Sequence, residues 1–456
     1  MRLIYFPKIN ALCEYVAYFG TIYYTTNKAS ELKFLSLSGK PNCMRLIYSL
    51  FIFIYGLIIK LSSLFNAKAA QWTKGRKDIF PRIEQILEYN KKELIWVHAA
   101  SLGEFEQGRP VIEALKEKHP EYGIILTFFS PSGYEVRKNY ELADFVFYLP
   151  LDTPQNAKRF LDLLPIRLAI FIKYEYWYNY LKAIREKEIP IVFVSAIFRA
   201  KQPFFRFYGS WFLNHLKQVD WFFVQNQNSL GLLNKAGISN ASLAGDTRFD
   251  RVADIAKKAK ENTIIKQFKR DSKLFLAGSS WPEDEALIYP LLEKFPDLKF
   301  VFAPHQIDEK HIQAIEKNCT GKSLRYSQAT KENVNEKQVL IIDNYGLLSS
   351  LYRYADFTFI GGGFGAGIHN TLEAATFGMP IFIGPKYEKF QEAKDLVSLH
   401  SIEVINEAKE LEQSLVDLLS NLDQQIEKGQ KARNYVKSKT GVTNHIIKHL
   451  ENKNLL

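Results

Sequence analysis

The chain has 456 residues, enough for two domains of ordinary size, and its 47% hydrophobic content with no low-complexity tract excludes a disordered or fibrous protein. Sixty Lys+Arg against 49 Asp+Glu leave a formal charge of +11. That excess is spread along the chain rather than gathered into an arm, so nucleic acid is not expected as a partner, whereas an anionic membrane surface or a phosphorylated substrate is. Cys13, Cys43 and Cys319 form no C-x-x-C pair, which supports neither a disulfide framework nor a zinc site and fits a reducing, cytoplasmic interior.

In chain order, MRLIY opens the sequence at Met1 and recurs at Met44. Residues 1–43 lack periodicity and are expected to be a non-native N-terminal extension, with Met44 the natural start. Residues 44–67 form the next segment. From Leu46 to Phe65 only Ser49, Lys60, Ser62 and Ser63 interrupt the apolar character. This reaches spanning length, although the unbroken core Leu50–Ile59 is short. Lys68, Lys74, Arg76 and Lys77 follow at once, which places the rest of the protein on the cytoplasmic side. With no small-residue cleavage site, the segment reads as an uncleaved anchor, spanning or lying in the interface. The alternative is a hydrophobic helix docked on the globular part.

Beyond it, short apolar runs alternate with amphipathic ones. LIWVHA (94–99), GIILTF (123–128), LAIFIK (168–173), IPIVFVSA (189–196) and DWFFVQ (220–225) read as buried strands. RPVIEALKEKH (109–119) has the helical period. A charged helical linker, 251–271, divides this N-terminal domain (68–250) from a second one (272–425). The second has strands KLFLAG (273–278), KFVFAP (299–304), QVLIID (338–343), ADFTFIG (355–361) and MPIFIG (379–384). A last helical stretch, 426–456, is expected to pack back on the body. Two successive βα series predict an α/β protein with two Rossmann-like, doubly wound domains facing each other across a cleft, and ligands beyond the carboxyl ends of the strands.

The first such loop is HAASLGEFEQGRP (98–110). Ser101 and Glu104 have the spacing of a helix-capping box. Equally, Ala99, Ala100 and Gly103 leave room for a substrate, and the helix amino terminus keeps Glu104 ionised, as a general base for a hydroxyl requires. On these residues alone both readings stand. The second is FIGGGFGAGIHNTLEAATFGMP (359–380), a strand running into glycines and then a helix from about Thr371. Asn370 and Glu373 repeat the capping spacing. The glycines would let a ligand approach, and the helix amides suit a phosphate. The loop is neither a dinucleotide fingerprint nor a Walker loop.

Gly278, Ser279 and Ser280 after one strand and His305 after the next bring hydroxyls, amides and an imidazole toward the same end of that sheet, which favours a nucleotide. In the first domain FSPSG (129–133) offers Ser130 and Ser132. Lys173 and Arg248 are placed to hold an anionic sugar or phosphate, and Glu175 and Asp246 to orient them or merely pair with them. No acidic metal cluster, H-E-x-x-H or nucleophile elbow is present. A metal-independent transfer with one base and an anion clamp remains.

Taken together, WVHAASLGE (96–104), TFFSPSG (127–133), YLPLDTP (148–154), YEYWYN (174–179), GDTRFD (245–250), GSSWPEDE (278–285) and GGGFGAGIHNTLE (361–373) resemble, in this order, the 3-deoxy-D-manno-octulosonate (Kdo) transferases. These are inverting GT-B glycosyltransferases of lipopolysaccharide assembly, and the resemblance runs from Met44 to near the carboxyl terminus. It implies that Glu104 is the base, acting on a hydroxyl of the lipid A precursor with CMP-Kdo as donor, and that no further cofactor or metal is needed. It implies that Gly362, Gly363 and Asn370 lie at the nucleotide phosphate and Glu373 at the ribose, that Ser279 and Ser280 complete the cradle, and that Phe364 is among the nucleotide-binding residues. It also implies an enzyme held on the cytoplasmic leaflet of the inner membrane.

The departures bear on the donor clamp. Lys173 stands where the family commonly has an acid, Tyr178 where it has proline, Ile197 where it has arginine (with Arg199 near), Gln306 where it has histidine after an arginine held here by His305, and Trp281 where it has histidine. Competing readings are a GT-B transferase of another nucleotide sugar, a nucleotide-sugar epimerase, and a tethered nucleotide-sugar-binding protein without turnover.

Overall fold

A computed structural model describes residues 41–206 and 209–456. The expectation of an extension over residues 1–43 thus falls almost wholly outside the described residues. The chain forms two compact units: one runs to Arg248 and takes up Gly441–Leu456, the other is Phe249–Thr440.

The first unit is built on β1 (Leu94–Ala99), β2 (Gly123–Phe128), β3 (Phe145–Tyr148), β4 (Ile166–Ile172), β5 (Ile191–Ala196), β6 (Trp221–Val224) and β7 (Ala241–Leu243). They lie in the order β3-β2-β1-β4-β5-β6-β7, and every pairing is parallel. β1, β2 and β5 are buried at every position, as strands covered by helices on both faces must be. Strand order reverses between β1 and β4, and that crevice is where such a sheet binds ligands.

The second unit repeats the plan with β8 (Leu274–Ser280), β9 (Lys299–Pro304), β10 (Ser323–Arg325), β11 (Val339–Ile341), β12 (Phe357–Ile360), β13 (Ile381–Ile383) and β14 (Ile402–Val404). Their order is β10-β11-β9-β8-β12-β13-β14, again parallel throughout. The switch point falls between β8 and β12. Each unit is therefore a parallel-sheet α/β domain, as expected.

Two helical expectations are corrected. The linker 251–271 is two helices, Arg248–Lys258 and Thr263–Lys269, because Asn262 caps the second by accepting the amides of Ile264 and Ile265. The final stretch breaks at Gly441, whose φ of +96° ends one helix (Leu422–Ser438) and starts another (Val442–Asn452). Val442, Ile446, Ile447 and Leu450 of the last helix join Val111, Ile112 and Leu115 in one core of the first unit.

The apolar segment is the helix Pro41–Ser62, and Met44–Ser62 is long and apolar enough to cross a membrane. Tyr48, Ile52 and Ile59 recur at helical spacing and are buried in the core of the first unit, and Met44 is buried as well. Each such side chain contributes on the order of 2 kcal/mol on burial. The opposite face shows Leu50, Phe53, Leu57 and Leu61 to the outside, and Phe65 beyond the helix is 92% exposed. The helix is thus docked along one face and bare and apolar along the other.

Candidate active site

In the first unit, three loops leave the carboxyl edge at the switch point. β1 ends at Ala99, and the helix Leu102–Lys118 starts two residues after Ala100. Ser101 holds the N-cap position in extended conformation, yet its side chain makes no cap bond to the helix amides. Its hydroxyl donates to Oε2 of Glu104 instead. The capping box is therefore not made in its usual form, and the hydroxyl fixes one oxygen of the carboxylate. Glu104 is 8% exposed. A Cβ on Gly103 would meet nothing nearer than the Ser101 hydroxyl at 3.9 Å, so the turn is open on that side.

The loop after β2 is tied to the same turn, since Phe129 and Ser130 donate their amides to the Ala100 carbonyl at 3.2 and 2.7 Å. Ser130 caps the helix Pro131–Arg137 by accepting the Ser132 amide, and the two hydroxyls lie 3.0 Å apart. After β4, Lys173 takes a left-handed φ of +68° and turns the chain. Its ammonium lies 5.5 Å from the Tyr174 ring centroid, and the Arg199 guanidinium lies 5.6 Å from it on the same ring. Burial raises the Tyr174 phenol above its ordinary value; Arg199 and Arg248 oppose this, while Glu104 and Asp246 reinforce it. That pattern puts Tyr174 within electrostatic reach of all four.

Arg248 is aimed by Asp246. Its Nε and Nη2 both reach Oδ2 of that carboxylate at 2.8 Å, its amide reaches Oδ1 at 2.9 Å, and Gln107 donates from behind. Glu175, expected to orient the basic residues, lies inside instead. Its Oε2 accepts the Trp177 indole N–H at 2.9 Å and faces Nε2 of His98 at 3.2 Å. The Thr127 hydroxyl lies 2.8 Å from His98 Nδ1 and accepts the Trp96 indole. The pair His98–Glu175 locks the loop after β4 to β1.

In the second unit the loops after β8, β9 and β12 meet. Ser279 is left-handed at φ +51°. Ser280 is buried and donates to Oε1 of Glu285 at 2.8 Å, so its hydroxyl is spent inside rather than in a cradle. Asp284 joins two loops: its Oδ2 accepts the amides of Trp281 and Gly362 at 2.9 and 2.8 Å. Burial raises its pKa to about 6.

The triple glycine is demanded by packing. A Cβ on Gly361 would lie 2.4 Å from the Ser279 carbonyl, and one on Gly363 would lie 2.5 Å from Gly384 Cα; Gly362 has φ +92°. Lys386 reaches into the turn and donates to the carbonyls of Phe364 and Gly365. The following helix is short, Leu372–Phe377, with Thr371 at its N-cap. Asn370 accepts the Leu372 amide at 3.0 Å and donates to Oε1 of Glu373 at 3.1 Å, while Ser349 donates to Oε2 at 2.6 Å.

Above these loops Trp281, His305 and His369 form one aromatic group. The Trp281 indole donates to Nε2 of His369 at 3.0 Å with the rings 9° from coplanar, and His305 stacks on both. Burial, and then the neighbouring His305, lower His369 to about 4, so it is a neutral acceptor at pH 7. Trp281, standing where the resemblance expects histidine, is held by the very imidazole of the loop after β12.

His98, Tyr174, Asp284, Trp281, His369 and Lys386 were not among the expected site residues. Tyr174 lies within YEYWYN (174–179) and Trp281 within GSSWPEDE (278–285), where local spacing points to them, whereas the partners of His98 and Asp284 are far off in sequence.

The 3-deoxy-D-manno-octulosonic-acid transferase (kdotransferase) family model matches residues 77–251. Two 3-deoxy-D-manno-octulosonic acid transferases, from Haemophilus influenzae and Aquifex aeolicus, are each 28% identical to the chain. The first aligns over 342 residues, 72% of this chain and 79% of its own length; the second over 340 residues, 73% and 87%. Among solved structures, the UDP-GlcNAc 2-epimerase from Neisseria meningitidis superposes with a TM-score of 0.53 at 15% identity, over 79% of this chain and all of that one. At that identity the likeness is one of fold.

Proposed function

We propose, starting from the membership of this chain in the Kdo transferase family of glycosyltransferases, that it moves Kdo from CMP-Kdo to the glucosamine disaccharide of the lipid A precursor. Kdo transfer in lipopolysaccharide biosynthesis is the activity of the family.

Glu104 is the general base. It takes the proton of an acceptor hydroxyl; that oxygen attacks the anomeric carbon of Kdo, the bond to the CMP oxygen breaks with its electron pair, and configuration inverts. A positioned base contributes about 10²–10⁴-fold. The observation that carries the reading is the setting of Glu104 at the β1/β4 switch point, nearly buried, with the Ser101 hydroxyl fixing one oxygen. Lys173, Arg199 and Arg248 supply positive charge around Tyr174, where the Kdo carboxylate or an acceptor phosphate binds. The leaving phosphate is met by amides at the glycine turn after β12 and at the start of the helix Leu372–Phe377 rather than by a metal. The nucleotide lies at the loops after β8, β9 and β12, against the turn that Asp284 and Lys386 hold.

The bare apolar face of the helix Pro41–Ser62, with Lys60, Lys68, Lys74 and Lys77 near its carboxyl end, supports a membrane anchor and, with it, the reading of an enzyme on the cytoplasmic face of the inner membrane. The test is mass spectrometry of the lipid product after incubation with CMP-Kdo and the tetra-acylated precursor in detergent. A Kdo adduct is expected. Its absence, with an adduct from another nucleotide sugar, overturns the donor assignment.

A further inference from the structure

The inner face of the apolar helix reaches the loops of the site. Tyr48 donates from its hydroxyl to Oδ2 of Asp152 at 2.6 Å, and both residues are buried. The same carboxylate accepts the amides of Asn179 at 3.2 Å and Tyr180 at 3.0 Å, and the Asn179 side chain donates to the Asp152 carbonyl at 2.6 Å. Those amides open the helix Tyr178–Glu186, directly after the loop that carries Lys173, Tyr174 and Glu175. Two turns farther along the apolar helix, Tyr55 stacks on Phe129 at 6.2 Å, and Phe129 packs on Trp177 at 4.7 Å. Phe129 is bonded to Ala100, next to Ser101, and Trp177 to Glu175. The helix backbone lies close as well: a Cβ on Gly56 would stand 2.6 Å from Leu151 Cδ2, one residue before Asp152.

We propose that this helix is a splint for the acceptor loops, and that Tyr48 is a positioning residue acting through Asp152 on the loop after β4. The proposal rests on the Kdo-transfer reading for its kinetic consequence. Two faces of one helix then do separate work. Tyr48, Ile52 and Tyr55 hold the loops, while Leu50, Phe53 and Leu57 meet lipid. Acceptor binding therefore depends on the helix even where attachment to a bilayer is not needed. An ionised carboxylate receiving three donors is a stiff joint, and losing one of them loosens the other two.

The experiment uses the full chain, with Tyr48→Phe set beside a variant of the bare face, Leu50→Ser/Phe53→Ser/Leu57→Ser. Transfer is measured in detergent micelles with CMP-Kdo and the tetra-acylated precursor, membrane binding by flotation with phosphatidylglycerol vesicles, and loop order by hydrogen exchange. For Tyr48→Phe the acceptor KM rises about tenfold, the lower end of the scale of one hydrogen bond to a charged group. Its CMP-Kdo KM and flotation stay as in the wild type, and exchange quickens over residues 173–180. The bare-face variant does the reverse, losing flotation while keeping the micellar acceptor KM. A wild-type acceptor KM in Tyr48→Phe, with faster exchange confined to Asn179 and Tyr180, overturns the proposal, whatever happens to thermal stability. If the wild type itself transfers no Kdo, the functional reading fails alone, and exchange over residues 173–177 decides the splint.

Discussion

Asp284 accepts the Gly362 amide at 2.8 Å through the same oxygen that accepts the Trp281 amide, while its other oxygen is buried without a partner among the described residues. One carboxylate thus joins the loops after β8 and β12 at the switch point of the second sheet. Its pKa is raised by burial from 3.8 to about 6. A folded-state value above the unfolded one means the native state binds the proton more tightly. The stabilisation is full below pH 4 and is lost as pH rises toward 6, by up to ~3 kcal/mol. Asp152 shifts to about 6 for the same reason and adds to the slope. Asp284→Asn keeps one oxygen for both amides and removes the charge. Melting curves at pH 4.5 and 7 should show a smaller loss in that variant than in the wild type. Asp284→Ala loses both bonds and the titration with them, so its deficit against the wild type should be about 2 kcal/mol or more at pH 4.5 and smaller at pH 7.

The glycines of the two sites should respond differently to a methyl group. Gly363→Ala drives a Cβ into the backbone of Gly384 at 2.5 Å, and Gly361→Ala into the Ser279 carbonyl at 2.4 Å. Each should destabilise the second unit by about 1–3 kcal/mol and abolish CMP binding by calorimetry. Gly103→Ala meets nothing nearer than 3.9 Å. Its melting temperature should match the wild type, with any cost appearing in acceptor KM.

The central strands of both sheets were legible as unbroken apolar runs, because a parallel strand covered on both faces needs no alternation. β3, β7, β10 and β14 were not legible. They are the four edge strands, three or four residues long and only partly buried, so no continuous run marks them. Glu104, the glycine turn and the Arg248–Asp246 pair could be read from local spacing. Glu175 was misplaced because its partner His98 is 77 residues away. Asp284 has no local signal as a site residue, because its second contact, Gly362, is 78 residues away. Spacing encodes contacts within a turn or a helix; contacts between loop ends depend on strand order.

Arg248 is oriented by Asp246 and Gln107 rather than left to solvent. Arg248→Ala removes the charge and leaves Asp246, 7% exposed, without its guanidinium partner. Loss of a charge-assisted contact to an anionic substrate should lower kcat/KM by about tenfold or more. Asp246→Asn should show a smaller drop, since the guanidinium remains but is no longer fixed. Steady-state kinetics on the two variants separates holding the anion from aiming the arginine.

The metal-independent part of the account is checked by chelation. Excess EDTA, removed or left in place, should leave the rate of Kdo transfer unchanged within twofold. A loss restored by Mg²⁺ would show that the loops after β8, β9 and β12 do not by themselves suffice for the leaving phosphate.

The most direct measurement compares the wild type with Glu104→Gln in transfer of Kdo from CMP-Kdo to the tetra-acylated precursor, followed by mass spectrometry, with CMP binding measured on both proteins. The glutamine keeps an oxygen to accept from the Ser101 hydroxyl, so the turn after β1 holds. The account predicts unchanged CMP binding and a rate lower by about 10²–10⁴-fold. Turnover near that of the wild type would contradict it and leave Glu104 a structural partner of Ser101.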